Sequence, residues 1–100
     1  MMVEAVTNGL KRLADLRQLL LDMERDFGLD GLPEQETRLL YAVAIQTRTK
    51  SEVSLAELQA HPLTTDISRS TFFRALKHLA ECGYIEKTSV EKRAGYKLLK

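Results

Sequence analysis

Few residues of this 100-residue chain are suited to covalent or metal chemistry: two histidines, His61 and His78, and one cysteine, Cys82. His78 and Cys82 stand at i and i+4, so on a helix they face the same way and would meet a common metal ion. Two ligands fall short of the four that a structural zinc site takes, so no metal is expected. His61 lies far along the chain from His78. No serine, histidine and aspartate fall into a nucleophilic order, and neither a glycine-rich phosphate loop nor a catalytic carboxylate pair occurs. The residues therefore predict a protein that is not an enzyme and takes no cofactor, with Cys82 partly buried against the C-terminal strands.

A different chemistry is concentrated near the C-terminus. Residues 1–46 carry five Lys or Arg against eight Asp or Glu, a net −3, whereas residues 69–100 carry eight against three, a net +5. A local positive field of this kind suits contact with a polyanion. Within it, Ser70, Thr71, Arg74 and Lys77 are spaced to share one side of a helix, while Phe72, Ala75, Leu76 and Leu79 recur three or four apart on the other. That division meets the two demands on a helix in a DNA major groove: an apolar side that anchors it, and a polar side with short residues near its N-terminus. Arg74 is the first candidate for a base contact, because a planar guanidinium bridges two acceptors on guanine. Ser70 and Thr71 suit a phosphate or a base edge, and Arg69 and Lys77 suit phosphate contacts that position the helix. Lys87, Lys92 and Arg93 extend the cationic set into the following strands and turn, with Lys97 as a further member. Phe73 falls beside the polar face, where packing and contact with a thymine methyl both remain open.

These side chains need a scaffold. The spacing predicts a first helix over residues 7–27, with Leu13, Leu16, Leu20, Met23 and Phe27 at 3-4-3-4 intervals and Gly28 as its stop. Leu10, Leu19 and Leu21 widen its apolar surface enough for one face to meet a second subunit. Pro33 at the first helical position, followed by Glu34 and Glu36, starts a second helix running to about residue 47. That helix is apolar nearly all round and should lie at the centre of the fold. A polar loop, with one strand residue at Val53, leads to Ser54 and Glu57, which form a capping box at the start of a short third helix. Leu55, Leu58 and Leu63 are expected to point inward. Ser68 caps a fourth helix over 69–82 and Gly83 ends it. The period then changes to that of strands over 84–90 and 96–99, joined by a charged turn over 91–95 in which Gly95 supplies the reversal.

The expected fold is therefore α+β: a three-helix core closed by a β-hairpin, the winged helix-turn-helix arrangement, preceded by an additional N-terminal helix. Residues 1–31 form that helix, a dimerisation element, and residues 32–100 the DNA-binding domain. With 44% apolar and 29% charged residues, the chain has the composition of an ordinary globular domain. At this length it buries only about 60–70% of its extended surface, in a single core. One cysteine forms no intrachain disulfide, and no apolar run is long enough for a signal peptide or a membrane span, which points to the cytoplasm and away from the membrane.

At these residues the sequence resembles the winged helix-turn-helix transcription regulators of bacteria, and most closely the MarR family. The family's capped short helix is matched by Ser54-Leu55-Ala56-Glu57-Leu58, and its recognition helix by Ser70, Thr71, Arg74, Leu76, Leu79, Gly83, Tyr84 and Ile85. Leu32-Pro33 and Gln35 look like the start of the family's second helix, and the similarity covers residues 32–99. The resemblance implies sequence-specific binding of double-stranded DNA by a homodimer, with the recognition helix 69–82 in the major groove and the wing 84–99 alongside. It also implies the option of a small-molecule effector held between the dimer helices and the DNA-binding part. Two departures stand out: segment 61–67 is longer than the common pattern, and the wing is followed by no further helix of the kind through which family members usually pair. The competing reading is a winged helix used for protein contacts, or as an accessory factor in replication or plasmid partition.

Overall fold

The computed structural model describes residues 2–90 and 93–99. The chain divides into two compact units, Met1–Leu32 and Pro33–Lys100.

The first unit is built on helix α1, Met2–Asp26. It begins five residues before the expected start, since Gly9 does not interrupt it and Glu4 favours its first turn. Its end is the one that Gly28 predicts. Gly28 adopts φ +75°, its amide donates to the Arg25 carbonyl at 3.0 Å, and the Leu29 amide donates to that of Glu24 at 2.7 Å. This pairing of the last carbonyls with a left-handed residue is the Schellman motif.

The second unit contains helices α2 (Glu34–Gln46), α3 (Leu55–Ala60) and α4 (Arg69–Glu81), and strands β1 (Val53–Ser54), β2 (Ile85–Val90) and β3 (Arg93–Leu98). Pro33 stands one place earlier than expected, as the N-cap of α2. The strands form an antiparallel sheet in the order β1-β3-β2, with Val53 opposite Tyr96 and Ile85 opposite Leu98. Among the described residues the architecture is thus α+β, four helices with a small three-stranded sheet, which is compatible with a winged helix. No helix among them is long and apolar enough to cross a membrane.

The core is assembled from every element of this unit. Leu39, Ala42 and Val43 of α2, Val53 of β1, Leu58 of α3, Leu79 of α4 and Ile85 of β2 are essentially removed from solvent, with Phe72, Ala75, Leu76 and Tyr96 nearly so. Each fully buried large side chain contributes about 1.5–3 kcal/mol by leaving water. Helix α2 packs against α3, α4 and β3, the central place that its all-round apolarity predicts. Ile45, at its far end, remains exposed.

Segment 61–67 is ordered by local bonds. The Thr64 and Thr65 amides both donate to the His61 carbonyl at 2.9 Å, and the buried Thr64 hydroxyl donates to the Leu58 carbonyl. Leu63 and Leu55 are half-buried, so the inward position expected of Leu63 is shared with a threonine whose hydroxyl is satisfied at the end of α3.

The hairpin differs from expectation at Gly95. β3 begins at Arg93, so Gly95 lies within the strand, buried between Ser54 and Thr88, and not in the turn. A Cβ at this place would lie 2.7 Å from the Thr88 hydroxyl and 3.2 Å from the Glu52 carboxyl carbon. Glycine here admits that hydroxyl, which donates to Glu52.

Candidate nucleic-acid interface

The orientation of α4 follows from its two sides. Ser68 caps it by accepting the Thr71 amide, and Gly83, at φ +80°, closes it with amide donations from Gly83 to Ala80 and from Tyr84 to Leu79 at 3.1 and 3.0 Å. Burial of Phe72, Ala75, Leu76 and Leu79 fixes one face to the body, which turns Ser70, Arg74 and Lys77 outward. Arg74 extends toward the helix start, its Nε donating to the Ser70 carbonyl and its Nη2 to the Thr71 hydroxyl, both at 3.4 Å. Three of the expected site residues are thereby brought together where helical amides already favour an anion.

Arg69 occupies a different flank. Its guanidinium lies over the Phe73 ring, 5.7 Å from the centroid, and that ring stands edge-on to Phe72 at 5.7 Å and 86°. Phe73 is 37% exposed and so serves as a platform between the buried Phe72 and the Arg69 cation.

Lys77 and Lys87 line one groove between α4 and the hairpin, together with Phe73, Leu76, Ala80, Tyr96 and the acidic Glu81. Lys87 reaches it because it is paired with Tyr96 in the ladder and shares that residue's face. Burial pushes the Tyr96 phenol above its ordinary 10.0. Lys97 belongs to the opposite face, where its ammonium meets the Glu86 carboxylate at 3.3 Å, so it does not extend the Lys77–Lys87 surface. Arg93 opens β3 opposite Val90, and Lys92 lies outside the described residues. Glu81, exposed in the last turn of α4, limits the cationic stretch to the first two-thirds of the helix.

Two further groups border α4 that its own periodicity does not announce. Glu36 of α2 accepts a hydrogen bond from His78 Nδ1, and this bond, reinforced by the carboxylate charge, raises the His78 pKa above its ordinary 6.5. His78 Nε2 lies 3.4 Å from the Cys82 sulfur, and Cys82 is exposed instead of buried against the hairpin. On the far side of segment 61–67, Arg38 Nη1 donates to both Asp66 oxygens at 3.0 Å and holds that carboxyl below its ordinary 3.8. These contacts span 42 and 28 residues, a separation at which neither spacing nor composition carries a signal.

No protein-family model matches the sequence, and a search of curated proteins finds no match either.

Proposed function

We propose that this chain is a winged helix-turn-helix transcription regulator that binds double-stranded DNA as a homodimer in the cytoplasm, with α4 in the major groove and the hairpin alongside. The observation that carries this reading is the outward stripe of α4. Arg74 lies against Ser70 and Thr71 at the helix start, and Lys77 shares a groove with Lys87 of the hairpin. A guanidinium in that place suits bidentate contact with guanine, and the lysines suit phosphates on either side. Glu81 lines the same groove and repels phosphate at its end of α4, which favours approach by the N-terminal part of the helix. The Arg38–Asp66 pair supports the geometry by tying the segment before α4 to α2.

The competing reading, a protein-docking winged helix, draws on the exposed apolar side of α1 and leaves the cationic stripe without a role. Competition between the DNA upstream of the chain's own gene and a scrambled duplex separates the two. A regulator prefers its upstream region by roughly a thousand-fold or more; equal affinity for both duplexes contradicts regulation.

A further inference from the structure

Helix α1 exposes Val6, Leu10, Leu13, Leu16, Leu19 and Met23, and Phe27 directly after it is exposed too, each by 47% or more. Leu13, Leu16, Leu20, Met23 and Phe27 alternate at intervals of three and four, and the same alternation carried backward lands on Gly9 and Val6. Val6, Leu13, Leu20 and Phe27 thus occupy one seam position of a heptad, and Gly9, Leu16 and Met23 the other. Gly9 is the anomaly in that series. A mid-helix glycine disfavours the helix, and a Cβ added there would meet nothing of this chain within 4 Å. The space beside it is open.

The charges beside the seam decide what can face it. Arg12 and Asp26 both fall at the position just before the first seam residue, and Arg17 falls just after the second. In a parallel pair of helices, Arg12 of each copy would face Arg17 of the other, like against like. In an antiparallel pair, positions of the same kind face each other, and one register places Arg12 of each copy opposite Asp26 of the other, two attractions that outweigh the single approach of Arg17 to its own counterpart at the dyad. That same register layers Leu13 on Met23, Leu16 on Leu20, and Phe27 on Gly9. The largest seam side chain then sits over the residue that has none.

We infer that α1 pairs with α1 of a second copy in antiparallel orientation, in the register that seats Phe27 over Gly9 and joins Arg12 to Asp26. From the function proposed above, the inference takes only the identity of the partner as a second copy. Arg12 and Asp26 are exposed, so substitutions at these positions leave the fold intact.

Sedimentation of the full chain without DNA tests it, using wild type, Arg12→Asp, Asp26→Arg and the double variant. Each single substitution turns two attractions into two repulsions and is expected to weaken association roughly three- to thirty-fold, while the double variant returns to within about two-fold of wild type. A wild type that stays monomeric at tens of micromolar overturns the pairing. Tighter association of Arg12→Asp overturns the antiparallel orientation, because only a parallel pair gains when Arg12 no longer faces Arg17. Unchanged single variants, or a double variant that fails to recover, overturn the register. Since no DNA is present, each of these results leaves the duplex-binding reading to be judged by its own experiment.

Discussion

Helices α4 and α1 are both amphipathic, yet α4 buries Phe72, Ala75, Leu76 and Leu79 within its own unit, while α1 keeps Leu10, Leu13, Leu16 and Leu19 more than half exposed. The hydrophobic effect acts equally on both, being indifferent to whether the covering surface belongs to the same chain. What differs is the consequence. Burial inside the unit gives the polar stripe of α4 a fixed direction, which the proposed recognition of DNA requires. The apolar stripe left open on α1 is the surface on which the proposed pairing rests.

The largest expected effect breaks this contrast at its root. Leu79→Ala, beneath α4, should destabilise the second unit by about 2–5 kcal/mol in denaturant titrations. Leu13→Ala in α1 should alter the unfolding of that unit by no more than about 0.5 kcal/mol. Equal losses would show that the two helices are not distinguished by burial. Next, Arg74→Ala should weaken binding to a preferred duplex by about 1–3 kcal/mol, with stability held within about 0.5 kcal/mol. A comparable loss of stability would mean that Arg74 serves the fold.

Smaller effects sharpen the account of how α4 is held. Ser54→Ala removes the cap of α3 and should cost about 1 kcal/mol by thermal or chemical unfolding, whereas no change would deny the capping box its role. The smallest effect is one of pH. Because His78 is raised in the folded state, the stability it shares with Glu36 is fully present below about pH 6.5 and fades as pH climbs through the raised value. Glu36→Gln should flatten that dependence. Asp66 works in the opposite sense: its pair with Arg38 contributes above pH 3.8 and is lost as pH falls through the lowered value.

The features legible in the sequence are those set by neighbours along the chain. The apolar stripe of α4, its Ser68 and Gly83 ends, the capping box at Ser54 and Glu57, and the Gly28 stop of α1 are all written within a few residues. Gly95 is not legible for the same reason: next to a charged stretch a glycine reads as a turn, and only the packing of Thr88 and Glu52 against its backbone shows that the strand needs it. Lys87 and Lys97 differ in role because a strand alternates its faces, and the register that decides which face meets α4 is a tertiary fact. Glu36–His78 and Arg38–Asp66 depend on how α2 packs, so the candidate interface was visible as a stripe of residue types while its supports were not.

The central claim is that Arg74, Lys77 and Lys87 form one anion-binding surface, and the dependence of duplex affinity on salt tests it most directly. Affinity should fall linearly on a double-logarithmic plot, with a slope of roughly −0.9 per phosphate contact. Lys77→Ala and Lys87→Ala should each reduce its magnitude by about one. Failure of the wild type to bind any duplex at low salt, or a slope indifferent to both lysines, would contradict the account.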